Sequence, residues 1–174
     1  MLTWKATRSK KTTSCDRRSG SQTYKIQVDD IEAIKILKSR YFRFMDTKDW
    51  TAWGGLFTAD ATLDADTAVS TRGADPKSMP TVRGRNEIVS FVRGFVDECI
   101  TVHHGHTPEI EIITPTSANG IWAMEDIVEK VGVRLLRGYG HYYETYRKEG
   151  DGQWRIATLH LRRIRLDIYS QSTE

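Results

Sequence analysis

From Val102 to Ile168 the chain reads as almost unbroken strand, and that run constrains the fold more than anything else in the sequence. Four long stretches, Val102–Thr114, Ala118–Val131, Arg134–Arg147 and Gln153–Ile168, carry alternating apolar and polar side chains. The breaks are short: Pro115-Thr116-Ser117, a region around Gly132, and Glu149-Gly150-Asp151-Gly152. Connections this short join antiparallel neighbours, since parallel strands need a crossover of a dozen residues or more. Four such strands expose a broad apolar face that something else in the chain must cover.

The cover comes first in the sequence. Val28 to Asp46 has helical spacing, with Ile31, Ile34, Leu37, Tyr41 and Phe44/Met45 on one stripe beside Lys38, and Asp29 and Asp30 at its start. Lys48 to Phe57 predicts a short second helix faced by Trp50, Trp53, Leu56 and Phe57, and Ala61 to Asp66 predicts a strand. Thr67 to Val82 holds Gly73, Pro76 and Pro80 and reads as a long loop, a lid or a modifier of a pocket mouth. Gly84 to about Cys99 predicts a third helix striped by Ile88, Phe91, Val92, Phe95 and Val96. Helices followed by strands imply an α+β fold, with an antiparallel sheet curled around N-terminal helices into a cone-shaped barrel. The open end of such a cone is a natural ligand pocket.

The remaining composition narrows the possibilities. With 174 residues, 39% hydrophobic and 28% charged, the chain has the balance of a single soluble domain. No segment approaches the apolar length needed to cross a bilayer, and Met1 to Gln27 lacks the apolar core of a secretory signal. Two cysteines, Cys15 and Cys99, are too few for a disulfide framework, so a cytoplasmic protein is expected. The net charge of +3 is uneven: residues 1–25 carry Lys5, Arg8, Lys10, Lys11, Arg17, Arg18 and Lys25 against Asp16 alone. Residues 1–26 read as a basic, disordered extension, and residues 27–174 as the folded domain. Nucleotide loops, nucleophile elbows and zinc-finger spacings are absent, so no cofactor, metal or nucleic-acid partner is expected. Gly138-Tyr139-Gly140 reads as a bulge inside a strand rather than a phosphate cradle.

Chemistry concentrates in Thr101-Val102-His103-His104-Gly105-His106-Thr107, which holds three of the five histidines. Side chains alternate across a strand, so His103 shares a face with Thr101, and His104 and His106 share the other. An unperturbed imidazole titrates near pH 6.5 and takes up a proton at neutral pH. A carboxylate on its other ring nitrogen would fix the tautomer and stabilise the imidazolium. Asp46 is a candidate because it closes the first helix, where the dipole disfavours an anion. His104 and His106 form a His-x-His pair with no secure third ligand, so metal binding is the weaker reading. In the strand after the first turn, Trp122, Met124, Asp126 and Val128 share a face, which places an acid among large apolar side chains.

The order and spacing of several pieces resemble the SnoaL-like family of the nuclear transport factor 2-like superfamily. They are Arg40-Tyr41 to Met45-Asp46, Trp50 to Phe57, Asp60-Ala61, Gly84-Arg85-Asn86-Glu87-Ile88, Thr101-Val102-His103, Gly138 to Tyr146 and Gln153-Trp154-Arg155-Ile156. The resemblance covers roughly Val28 to Asp167, and the bile-acid dehydratase and scytalone dehydratase type of lyase fits it best. It implies His103 as catalytic base, Asp46 as its partner, Tyr41 as a hydroxyl donor to a substrate oxygen, and Asp126 as a second acid. It also implies an arginine of the last strand at the ligand; among Arg162, Arg163 and Arg165 the choice is Arg163. Trp53, Phe57, Trp122 and Tyr142 are expected to line the pocket and contact a small hydrophobic, ring-shaped molecule. A homodimer or homotrimer is expected from the same resemblance.

Two functions stay open at this stage. One is a cofactor-independent, dehydratase-like lyase acting on a hydroxylated or ketone ring, with isomerase and hydrolase variants of the same parts. The other is a non-catalytic binding or dimerisation module. They differ on whether an imidazole from the first long strand and an acid from the first helix meet in an open apolar cavity.

Overall fold

The computed structural model describes residues 17–66 and 77–170, with side chains from Asp29 onward. The first helix, α1, spans Arg17–Asp46. It starts eleven residues before the spacing predicts, so 17–26, expected to belong with the tail, are helical. Its buried residues Ile34, Leu37, Lys38, Tyr41 and Met45 fall three or four apart on the face turned to the sheet. The helix stops in a Schellman turn: Asp49 N–H reaches Phe44 O at 2.9 Å and Lys48 N–H reaches Met45 O at 3.2 Å. Lys48 occupies the left-handed position of that turn at φ 60°, where glycine is usual.

Asp49 then caps α2, which is only Trp50–Gly54, by accepting from Ala52 N–H at 3.0 Å. The second helix is thus shorter than the sequence predicts, because Gly54 and Gly55 end it after little more than a turn. Phe57 opens strand β1, Phe57–Ala65, instead of closing the helix. Strand β2 is the short Val82–Arg83, and α3 runs Arg85–Val96. The loop expected over Thr67–Val82 lies largely outside the described residues; its far end returns to β1 through a bridge between Asp66 and Ser78.

The predicted strand Val102–Thr114 is two strands, β3 (Ile100–Gly105) and β4 (Glu109–Thr114), both paired with β5 (Ser117–Lys130). The split has two causes. Pro108 has no N–H to give the ladder. At Gly105 the Phe42 ring of α1 comes so close that a Cβ would sit 2.5 Å from it. Strands β6 (Arg134–Lys148) and β7 (Trp154–Ser170) complete a seven-stranded sheet, six of its strands in the order β2-β1-β7-β6-β5-β3 and the seventh, β4, paired with β5 off that path. The long strands are antiparallel, as expected, but β1 lies parallel to β7. The β6–β7 register shifts between Tyr139 and Gly140, which is the bulge read from the glycine pair.

The result is an α+β fold in which a curved, unclosed sheet wraps the helices. Its core is aromatic: Trp53 and Phe57 meet edge to face with centroids 4.8 Å apart, and Tyr41 meets both. One ion pair is sealed within it. Lys38 Nζ of α1 lies 2.5 Å from Glu144 Oε1 of β6, both side chains fully buried. Glu144 also accepts from the Tyr146 hydroxyl, which accepts from Trp122 Nε1 at 2.8 Å. The Lys38 ammonium sits over the Tyr41 and Tyr142 rings, 3.9 and 3.7 Å from their centroids. On the opposite face of the sheet, Val102, Tyr143 and Ile164 are exposed. Among the described residues no helix is long and apolar enough to cross a membrane.

Candidate active site

A cavity of about 230 Å³ lies between α1, α3 and the concave face of the sheet. Its wall is mostly apolar, with Met45, Leu63, Leu159 and Leu161 on the inside and Phe91 and Phe95 of α3 on one side. Among the polar side chains that reach it, five come from five different elements: Tyr41 from α1, His103 from β3, Asp126 from β5, Tyr142 from β6 and Arg163 from β7.

The carboxylate that closes α1 meets the imidazole that opens the long strands. His103 Nδ1 lies 2.6 Å from Asp46 Oδ1, and the imidazole is buried. The His103 backbone N–H donates to Asp46 Oδ2 at 3.0 Å, and the Thr101 hydroxyl donates to Oδ1 at 2.9 Å. Partial burial raises the Asp46 pKa, but these donors outweigh it and hold the carboxyl below its usual range. An ionised Asp46 only accepts, so Nδ1 carries the proton. The lone pair of His103 is then on Nε2, the nitrogen turned from the carboxylate. Alternation does the rest: Thr101 and His103 point inward, while His104 and His106 are on the exposed face. Among the described residues no three metal-type side chains converge.

Asp126 and Arg163 form a second unit. The guanidinium donates through both terminal nitrogens to the two carboxylate oxygens, at 2.9 and 2.6 Å. Both side chains are largely buried, and the backbone makes room for them at Gly138, where a Cβ would lie 1.6 Å from Arg163 Nη1. The last strand thus turns Arg163 inward; Arg165 pairs with Asp167 at the surface. The sequence expectation treats Asp126 as a free acid, whereas here both its oxygens are engaged by the arginine.

Tyr41 and Tyr142 lie edge to face beside this pair, with ring centroids 6.0 Å apart. Burial drives both phenols well above the usual tyrosine range; the nearby Tyr142 and Glu144 reinforce this at Tyr41, and Asp126 does so at Tyr142. They therefore remain protonated donors at any working pH. Three expected ligand contacts do not line the cavity. Trp53 and Phe57 are packed under Tyr41, and Trp122 is held by Tyr146, because the widest rings fill the core first. Residues the sequence did not single out include Thr101 and Lys48 behind Asp46, with Lys48 Nζ donating to Thr101 Oγ1 at 2.7 Å, and Leu159 and Leu161 of β7 on the cavity wall. Thr101 could have been found, since it shares a strand face with His103.

A family model described as a SnoaL-like domain matches residues 27–160. A curated relative, the Probable cyclase FGR4 of Gibberella zeae, is 28% identical over 133 residues, 73% of this chain and 86% of that protein. Among solved structures, a scytalone dehydratase candidate from Novosphingobium aromaticivorans superposes with a TM-score of 0.69 at 21% identity, covering 86% of this chain and 95% of that one. The hexachlorocyclohexane dehydrochlorinase LinA-type3 of Novosphingobium barchaimii gives 0.67 at 18% identity, over 83% and 92%. At those identities the two structures speak to the fold alone.

Proposed function

The chain belongs to the SnoaL-like domain family, and from that premise we propose that it is a cofactor-independent lyase of dehydratase type acting on a small, hydrophobic, hydroxylated ring ketone or thioester. The observation that carries the proposal is the His103–Asp46 contact of 2.6 Å on the wall of an apolar cavity. The cyclase name of the curated relative supports a reaction of lyase or isomerase type.

In this reading Nε2 of His103 removes a proton from the carbon next to the substrate carbonyl. Asp46 stabilises the imidazolium that forms, and Tyr41 or Tyr142 donates to the carbonyl oxygen as it gains charge. The electron pair forms the carbon–carbon double bond as the hydroxyl leaves, and that hydroxyl takes the proton back from the imidazolium and departs as water. Asp126 acts here with Arg163 as a fixed polar wall that orients the substrate, since neither oxygen is free to deliver a proton. Any homodimer or homotrimer would form through the exposed outer face around Val102, Tyr143 and Ile164, away from the cavity; a solution mass equal to one chain would refute it.

The test is a panel of hydroxylated ring ketones and thioesters offered to the wild type and to His103→Ala, with water loss followed by absorbance of the conjugated product. Loss of the base is expected to cost roughly 10²- to 10⁴-fold in kcat. Turnover that survives the substitution unchanged removes His103 from the chemistry, and binding without turnover across the panel favours the non-catalytic module.

A further inference from the structure

The Asp46–His103 pair has a third and a fourth member. Thr101 donates to Asp46 Oδ1 and accepts from Lys48 Nζ, so an ammonium, a hydroxyl, a carboxylate and an imidazole stand in one chain with contacts of 2.7, 2.9 and 2.6 Å. Lys48 is the only non-glycine residue among those described with a positive φ. A left-handed backbone is strained for a lysine and comes more easily to glycine or asparagine. Its ammonium is also partly withdrawn from water: burial lowers its pKa while Asp46 pulls the other way. A residue held in an unfavourable backbone position, with its charge half buried against the back of a candidate catalytic pair, calls for a reason beyond turning the chain.

We propose that Lys48 is a positioning residue of the dyad, acting through the Thr101 hydroxyl to fix the Asp46 carboxylate in the orientation that accepts from His103 Nδ1. The hydroxyl has one proton. With Lys48 donating to its oxygen, that proton is committed to Asp46, and the carboxylate is locked between Thr101 on one side and the His103 ring and backbone on the other. The turn that ends α1 therefore does two jobs, stopping the helix and supplying the cation that backs its last residue.

Other charged or titratable groups face the dyad. Asp97, at the end of α3, is tied to Trp50 and Arg93, and Cys99 precedes β3. Asp126 is neutralised by Arg163 on the cavity side, and Tyr41 and Tyr142 are protonated. Lys48 is thus the cation that reaches Asp46 from behind.

The inference rests on His103 being the base, and its test reads the imidazole directly, without substrate. Histidine ring resonances of the full chain are followed against pH by NMR, and the His103 signal is identified by its loss in His103→Gln. Removing a cation behind Asp46 leaves the carboxylate better able to hold an imidazolium. Lys48→Met and Thr101→Val are therefore each expected to move the His103 midpoint upward by about half a pH unit, and Lys48→Arg to restore it. The double variant is expected to move it no further than the larger single change, because both act on one path. Lys48→Gly guards against loss of fold, since glycine suits the turn while lacking the cation, and it should titrate like Lys48→Met. An unmoved midpoint in Lys48→Met and Lys48→Gly, or shifts that simply add in the double variant, would overturn the relay whether or not a substrate has been found.

Discussion

At the scale of single residues, Asp46 shows how a misplaced charge becomes usable. The C-terminus of a helix repels an anion, yet three donors from the Thr101–His103 segment converge on this one. Because those bonds exist only in the folded chain, its folded pKa lies below the unfolded value of about 3.9. The sign of the linkage follows. Asp46 contributes stability that is fully present above the unfolded pKa and is lost as pH falls through the folded value. Asp46→Asn, which cannot ionise, should melt below the wild type at pH 6 to 7. The difference should narrow as pH drops below about 4, and thermal melts across that range check it. A gap that stays constant to the acid limit would mean the carboxylate is not held as described. The sequence offered Asp46 and His103 because an acid at a helix end and a histidine cluster at a strand start are both locally conspicuous. Lys48 was illegible, because a left-handed backbone is normally announced by glycine or asparagine, and a lysine there gives no sign.

At the scale of elements, the site depends on how β6 lets its neighbours approach. Gly138 and Gly140 sit one on each side of the register shift, and they do different work. A Cβ on Gly138 would fall among side-chain tips, 1.6 Å from Arg163 Nη1 and 2.2 Å from Asp126 Oδ1. A Cβ on Gly140 would strike backbone, 2.1 Å from Arg162 O and 2.8 Å from Arg163 Cα. Side-chain tips move more cheaply than a strand. Gly140→Ala is therefore expected to cost about 3 kcal/mol in denaturant unfolding, while Gly138→Ala costs less but swings Arg163 off Asp126 and weakens ligand binding at least tenfold. Equal stability losses, or full ligand binding in Gly138→Ala, would contradict this division. The bulge itself was readable from two glycines in a strand pattern, and so were the four long strands, because alternation repeated over a dozen residues is hard to mistake. The break in the first of them was not, since it depends on Phe42 of a distant helix pressing on Gly105. The start of β1 at Phe57 was hidden for a similar reason: the bond from Ile156 N–H to Leu56 O, made across a hundred residues, outweighs a local helical pattern.

At the scale of the whole molecule, helix and sheet must hold a fixed relation, because the dyad takes one member from each. Apolar packing alone permits small slides; the buried Lys38–Glu144 pair does not. Lys38 comes from α1 two turns before Asp46, and Glu144 from β6 two residues beyond Tyr142, so the pair pins the helix to the strand that carries the cavity's inner wall. The sequence placed Lys38 beside the apolar stripe but could not pair it, since no spacing rule links a helix lysine to a glutamate 106 residues away. Burial lowers the Lys38 pKa while Glu144 raises it, which leaves the ammonium dependent on that one carboxylate. The energetic consequence is asymmetric. Lys38→Met strands Glu144 with only the Tyr146 hydroxyl, and Glu144→Leu strands a cation among aromatic rings, so each alone should cost about 3–5 kcal/mol. The double change removes both charges and should recover most of that loss, measured by urea unfolding, because the desolvation penalty disappears with them. If the pair sets position as well as contributing stability, the recovered double variant will still turn over substrate more slowly than the wild type, because a stable helix free to slide no longer holds Asp46 against His103. A double variant as active as the wild type would assign the pair to stability alone.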